Sequence, residues 1–126
     1  MKREIVFDKK KKKNVTITPE ERVRQFIIDY LIGLSYPKSL FRVEKQACNG
    51  LKCRPDVVVY DTCCNPFILV ECKSSNVEIT EDTIWQVMKY NRKLKAKYIV
   101  VTNGISTYCW KLSGGTYVSS NVPQFS

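Results

Sequence analysis

Asp56-Val57-Val58-Val59-Tyr60 and Phe67-Ile68-Leu69-Val70-Glu71-Cys72-Lys73 decide the reading of this chain. Each stretch holds a run of consecutive β-branched, aliphatic or aromatic residues. Asp61 to Pro66 between them is rich in turn formers, so the two runs form a hairpin. Strands that are apolar at every position are buried on both faces, which places this pair at the centre of a sheet. Three charged residues stand where such strands end: Asp56 opens the first, and Glu71 and Lys73 close the second. If the hairpin turns about Cys63-Cys64, Asp56 falls opposite Glu71, with Cβ atoms ~5 Å apart on one face. Lys73 lies two positions on and shares that face.

Two carboxylates so placed are costly. At ~4 Å they repel by about 4 kcal/mol if the effective dielectric constant is roughly 20. Lys73 offsets one charge, and a divalent cation would offset the rest. A site of few carboxylates completed by water suits Mg²⁺ or Mn²⁺. The alternative is a structural salt-bridge network at the end of the sheet.

Helices flank the hairpin. Thr18-Pro19-Glu20-Glu21 reads as a helix start, with Thr18 as N-cap, Pro19 at the first helical position and Glu21 as capping-box residue. Val23, Phe26, Ile27, Tyr30, Leu31 and Leu34 then recur with a period near 3.6, and Pro37 stops the helix. At 100° per residue Glu20 falls about 60° from Val23, and Glu21 about 160° away toward solvent. Glu20 is therefore the third acid expected at the carboxylate pair. Leu40 to Gln46 alternates as a strand, and Gln46 to Arg54 reads as a loop. Thr80 to Lys95 reads as a second helix with Thr83, Ile84, Val87, Met88 and Leu94 inward. On it Gln86 and Tyr90, four apart, share one side. Trp85 is expected to pack inward as a helix aromatic, the alternative being a ring that stacks on a base. Strands follow at Tyr98 to Val101, at Thr107 to Leu112 and, after Gly114-Gly115, at Thr116 to Val118. The order α-β-β-β-α-β-β gives one α/β domain with a mixed central sheet flanked by helices.

The chain has 126 residues with 21 Lys+Arg against 12 Asp+Glu, a net charge of +9. Residues 1–13 carry seven of these cations and two acids. Residues 1–17 therefore read as a basic, mobile N-terminal arm before a single domain over 18–126. Lys89, Arg92, Lys93, Lys95 and Lys97 form a second basic cluster. Such charge suits an anionic polymer, nucleic acid before membrane. With Lys89, Arg92 and Lys93, Arg24 on the first helix is a candidate nucleic-acid contact. No apolar run is long enough to span a bilayer, and the Lys2/Arg3 start is not followed by an apolar stretch, so a cytoplasmic protein with reduced cysteines is expected. The chain has no histidine, which excludes Ser–His–Asp triads, Cys–His dyads and His-ligated metals. Cys48, Cys53, Cys63 and Cys64 lack a CxxC spacing and read as buried or loop thiols rather than a Zn²⁺ or Fe–S site. Cys109 reads as core.

These residues carry a family resemblance. Arg54-Pro55-Asp56 followed by Glu71-Cys72-Lys73 has the form of a PD-(D/E)xK nuclease motif. Gln86-Val87-Met88-Lys89-Tyr90 resembles the QxxxY element of RecB-type and type I restriction nucleases. Thr18 to Gln25 and Tyr98 to Gly104 are similar to flanking segments of the N-terminal domain of the type I restriction enzyme R subunit. The likeness covers residues 18–112. It implies a restriction-endonuclease-like fold with an αβββαβ core and Mg²⁺-dependent hydrolysis of DNA phosphodiesters. Asp56, Glu71 and the Cys72 carbonyl would hold the metal. Lys73 would orient or deprotonate the attacking water, Glu20 would hold metal-bound water, and Gln86 and Tyr90 would organise the site. The R subunit continues into an ATP-driven motor, whereas this chain has no Walker A motif. The expected partners are DNA and either a second copy, since cutting both strands needs two sites, or a motor or specificity subunit in trans. The alternative function is a catalytically idle nucleic-acid-binding or subunit-docking module with the same fold.

Overall fold

The computed structural model describes residues 4–8, 13–43 and 55–126, with side chains from residue 17 onward. The elements run β1 (Glu4–Asp8), β2 (Lys13–Ile17), α1 (Pro19–Gly33), a short 3-10 turn (Lys38–Leu40), β3 (Phe41–Val43), β4 (Val57–Tyr60), β5 (Pro66–Cys72), α2 (Glu81–Leu94), β6 (Tyr98–Thr102), β7 (Thr107–Ser113) and β8 (Thr116–Ser119). The αβββαβ order expected for the core is present in α1 to β6. The Gln46 to Arg54 loop, the end of the Leu40 to Gln46 strand, Cys48 and Cys53 lie outside the described residues.

At the N-terminus Glu4–Asp8 and Lys13–Ile17 pair antiparallel, Glu4 opposite Ile17 and Asp8 opposite Lys13, so a ribbon is formed by the described residues that flank the lysine run. The β-branched residues on either side of it, Ile5, Val6, Val15, Thr16 and Ile17, have strand propensity of their own.

β3 to β8 form a six-stranded sheet in sequential order. Every neighbour is antiparallel except β5 and β6, which are parallel. Parallel neighbours need a crossover, and α2 provides it. Strand alternation divides the sheet between two helices. Val57, Val59, Ile68, Val70, Cys72 and Val100 pack with Val23, Ile27 and Leu31 of α1. Leu69, Ile99 and Val101 pack with Val87 of α2. The hydrophobic helix stripes are narrower than expected: Phe26 and Tyr30 on α1 and Trp85 on α2 are exposed.

Thr18 caps α1, its hydroxyl accepting from Glu21 N at 3.2 Å. Thr80 and Thr83 form a reciprocal capping box on α2. Asn91 is buried. It accepts from Ala96 N at 2.8 Å and donates to the Tyr117 hydroxyl at 2.6 Å, which in turn donates to the Ala96 carbonyl at 2.5 Å. This polar knot ties the end of α2 to the loop that leads into β6 and to β8. No helix among the described residues is long and apolar enough to cross a membrane.

Candidate active site

The hairpin sets the site. Val57 pairs with Val70, Val58 with Leu69 and Val59 with Ile68, the register expected of a turn at Cys63-Cys64. A bulge at Val59/Tyr60 shifts the pairing only toward the turn, where Tyr60 meets Pro66. Asp61 Oδ1 caps that turn by accepting from Cys63 N and Asn65 N, both at 2.9 Å. The far end of the hairpin keeps its register, so one more step brings Asp56 level with Glu71. Glu71 pairs with Val101 of β6, and Lys73 N extends the ladder by donating to the Thr102 carbonyl at 2.9 Å. The acids therefore sit at the carboxyl end of the parallel strands, where open α/β sheets place their ligands.

Both acids are withdrawn from water: Asp56 is 2% exposed and Glu71 1%. Glu71 follows Leu69 by two residues and projects from the face that α2 covers. Lys73 shares that face as expected, its Nζ 3.6 Å from Glu71 Oε2. Asp56 precedes β4 by one residue, in a bend, so strand alternation does not fix its side chain. Its Oδ2 accepts from Cys72 N at 2.6 Å. Its Oδ1 lies 3.6 Å from Nη2 of Arg24 on α1.

Arg24 occupies a place the sequence reading did not give it. It was expected to contact nucleic acid, yet it is 8% exposed and its Nη1 pairs with Glu21 Oε2. The guanidinium thus links the first turn of α1 to Asp56. Its Nε is buried with no hydrogen-bond partner among the described residues. The signal was present: Arg24 falls about 60° from Ile27 around the helix, at the edge of the buried stripe. Arg24 and Lys73 offset two charges of the group, but Glu21 shares Arg24 with Asp56, so Glu21, Asp56 and Glu71 against Arg24 and Lys73 leave a formal −1. Glu21, half-buried, gives its carboxylate to Arg24 rather than facing bulk solvent.

The other expected residues are more dispersed. Glu20 is half-buried in the first turn of α1, four residues before Arg24 and on the same side. Among the described residues no three His, Cys, Asp or Glu side chains gather closely enough to hold a metal ion. Glu20 therefore does not complete a three-acid cluster with Asp56 and Glu71. On α2, Gln86 is exposed and Tyr90 is half-buried against the Leu69, Val87 and Ile99 cluster. Lys89, Arg92 and Lys93 are all exposed on α2. Trp85 is 64% exposed and stands one turn before Lys89, so an aromatic ring joins this basic stripe. Cys63 and Cys64 are exposed loop thiols, while Cys72 and Cys109 are buried.

The donor set itself bears on metal chemistry. Two carboxylates and a peptide carbonyl are hard oxygen donors. Mg²⁺ is commonly held by one or two carboxylates and keeps several waters, so a pair of acids without a third fits that ion. It does not fit Zn²⁺, which needs nitrogen or sulfur ligands or a fuller protein shell.

Comparison with known proteins gives one family. The model described as type I restriction enzyme R protein N terminus matches residues 19–123. The match runs from the first turn of α1 to beyond β8 and so includes every residue of the site just described. No curated protein matches the chain.

Proposed function

The chain belongs to the family of type I restriction enzyme R protein N-terminal domains, and on that footing we propose that it is a Mg²⁺- or Mn²⁺-dependent deoxyribonuclease. The observation that carries this reading is the placing of two nearly inaccessible carboxylates, Asp56 and Glu71, at the end of adjacent strands with the Lys73 amine 3.6 Å from Glu71. Asp56, Glu71 and the Cys72 carbonyl would hold the ion. The chemistry such an ion supplies when bound is acidification of water and stabilisation of charge on the departing oxygen.

The chain's own groups then have separate tasks. Lys73 Nζ orients the attacking water and donates to the scissile phosphate. Because the chain lacks histidine, the proton acceptor in this reading is the Lys73 amine in its neutral form, whereas its charged form only donates. Arg24 lies against Asp56 Oδ1, where its charge competes with a bound ion, while Cys72 N–H holds Oδ2. Lys89, Arg92 and Lys93 bind phosphates along the flanking backbone, which makes affinity fall steeply with salt.

A second reading has its own support. Both oxygens of Asp56 already face protein partners, and Lys73 stands by Glu71. That arrangement would also serve an idle module that binds DNA or docks to another subunit. Cleavage of linear, circular, single-stranded and branched DNA with Mg²⁺ or Mn²⁺ separates the two. The enzyme reading expects products from wild type and none from Lys73→Ala. Equal inertness of both on every substrate leaves the binding module.

A further inference from the structure

Beside the site, on the other flank of α1, lies a groove of about 420 Å³, within the usual size of small-ligand sites, ~300–1,000 Å³. Arg22, Phe26, Ser75 and Ile105 line it. Around α1, Arg22 and Phe26 point to the side opposite Glu20 and Arg24, while Val23 between them faces the core. Ser75 follows Lys73 by two residues, so the groove and the acid pair share the segment leaving β5.

Two large apolar side chains here are left in water. Phe26 is 49% exposed and Ile105 77%. Ile105 is no loose tip. Asn103 Oδ1 accepts from Ile105 N at 2.9 Å and Ser106 N at 2.7 Å, and Asn103 N donates to the Ser106 carbonyl at 3.1 Å. Asn103 Nδ2 donates to the Val77 carbonyl at 2.9 Å, fixing the turn to the segment after Lys73. Gly104 adopts φ +85°, and a Cβ there would lie 3.3 Å from Val23 Cγ2, so the turn is seated closely on α1. An isoleucine is thus held out by a hydrogen-bonded turn into a groove that a phenylalanine, an arginine and a serine also line.

We propose that this groove takes an unpaired nucleobase of the DNA strand next to the cut, making DNA with single-stranded or frayed nucleotides the substrate class; this rests on the nuclease reading above. The occupant follows from the chemistry. A base offers two apolar faces, suited to Phe26 and Ile105, and a polar edge within reach of Ser75. The adjoining phosphate is anionic and suits Arg22 and a chain of net charge +9. Apolar side chains serve elsewhere as wedges between base steps, and stacking on an aromatic ring tolerates any base.

The test is binding without divalent metal, by anisotropy of equal-length fluorescein-labelled duplexes, one blunt and one with a single-stranded overhang. Wild type is expected to prefer the overhang. Ile105→Ser and Phe26→Ser, at exposed positions, should each erase most of that preference, roughly tenfold for loss of one stacked base, while blunt-duplex affinity and melting temperature hold. Val118→Ser, at an exposed site on β8, should leave the preference intact. No preference in wild type, or an unchanged preference in both groove variants, overturns the inference while leaving the nuclease reading standing. A shift from dimer to monomer in sedimentation, with the preference unchanged, overturns it in favour of a protein-docking face. Failure of wild type to bind any DNA removes the nuclease reading and this inference together.

Discussion

Lys73 Nζ stands 3.6 Å from Glu71 Oε2, two residues along the same face of β5, where the Glu71 side chain is nearly inaccessible and the Lys73 side chain is 25% exposed. One group is thus locked in the protein and the other reaches toward solvent, as the proposed role of the Lys73 amine requires. Lys73→Met keeps the aliphatic stem and removes the charge. DNA cleavage should fall by about 10²- to 10⁴-fold, the usual contribution of a positioned proton-transfer group. DNA affinity, which the proposed function assigns mainly to Lys89, Arg92 and Lys93, should change little. Parallel cleavage and anisotropy titrations check this, and an equal loss in both would assign Lys73 to binding instead.

Arg24 makes a second prediction. Its guanidinium joins Asp56 to Glu21 within the protein. Removing one partner of a buried ion pair typically costs ~3–5 kcal/mol. The lower end applies to Arg24→Met, because Asp56 keeps its bond from Cys72 N. Urea unfolding measures that loss. Without the competing cation, Asp56 should also attract a divalent ion more strongly, so Mg²⁺ should raise the melting temperature of the variant more than that of wild type. A metal response identical in both proteins would count against Asp56 as a ligand.

These two residues show where sequence reading succeeds and where it stops. Lys73 was legible because strand geometry is strict: a two-residue period and a hairpin register carry a side chain to a known face and partner. The mixed sheet, its central strands and both helices followed from the same periodicities. Arg24 was assigned to the surface because charge is read as exposure unless a partner is known. Its partner Asp56 lies thirty-two positions away, just outside a strand where alternation no longer applies. Trp85 failed in the opposite sense. Aromatic character was read as burial, but the stripe of α2 is set by Thr83, Val87 and Asn91, and the helix turns Trp85 outward. The β1–β2 ribbon was hidden by the lysines between its strands.

Asn91 carries a structural prediction. Its side chain satisfies the Ala96 N–H and the Tyr117 hydroxyl across three elements. Asn91→Leu keeps comparable bulk but strands a buried amide hydrogen. Leaving such a group unsatisfied costs about 1–3 kcal/mol. The expected result is a lower urea midpoint with an unchanged slope. Cleavage should persist under conditions where the variant is folded, because the knot lies at the end of α2 away from Glu71.

Alkaline pH should weaken the fold through two buried groups on the α1 side of the sheet. Burial, reinforced by Tyr98 and Cys109, pushes Tyr36 from 10.0 up to about 12, and its neutral hydroxyl donates to the Pro123 carbonyl at 2.8 Å. Burial pushes the Cys109 thiol from 9.0 up to about 11. In both, the folded state favours the protonated form. The contribution is therefore complete below the unfolded value and is lost as pH rises through the folded one. Stability should begin to fall above pH 9 as Cys109 is engaged, and fall more steeply between pH 10 and 12 as Tyr36 joins. Urea midpoints followed across this range should show the upper part of the decline flattened in Tyr36→Phe and the lower part flattened in Cys109→Ala. Each variant will start from a lower plateau, the first having lost its bond to Pro123 and the second having left a cavity beside Val100, so the slope against pH, rather than the absolute stability, is the diagnostic quantity.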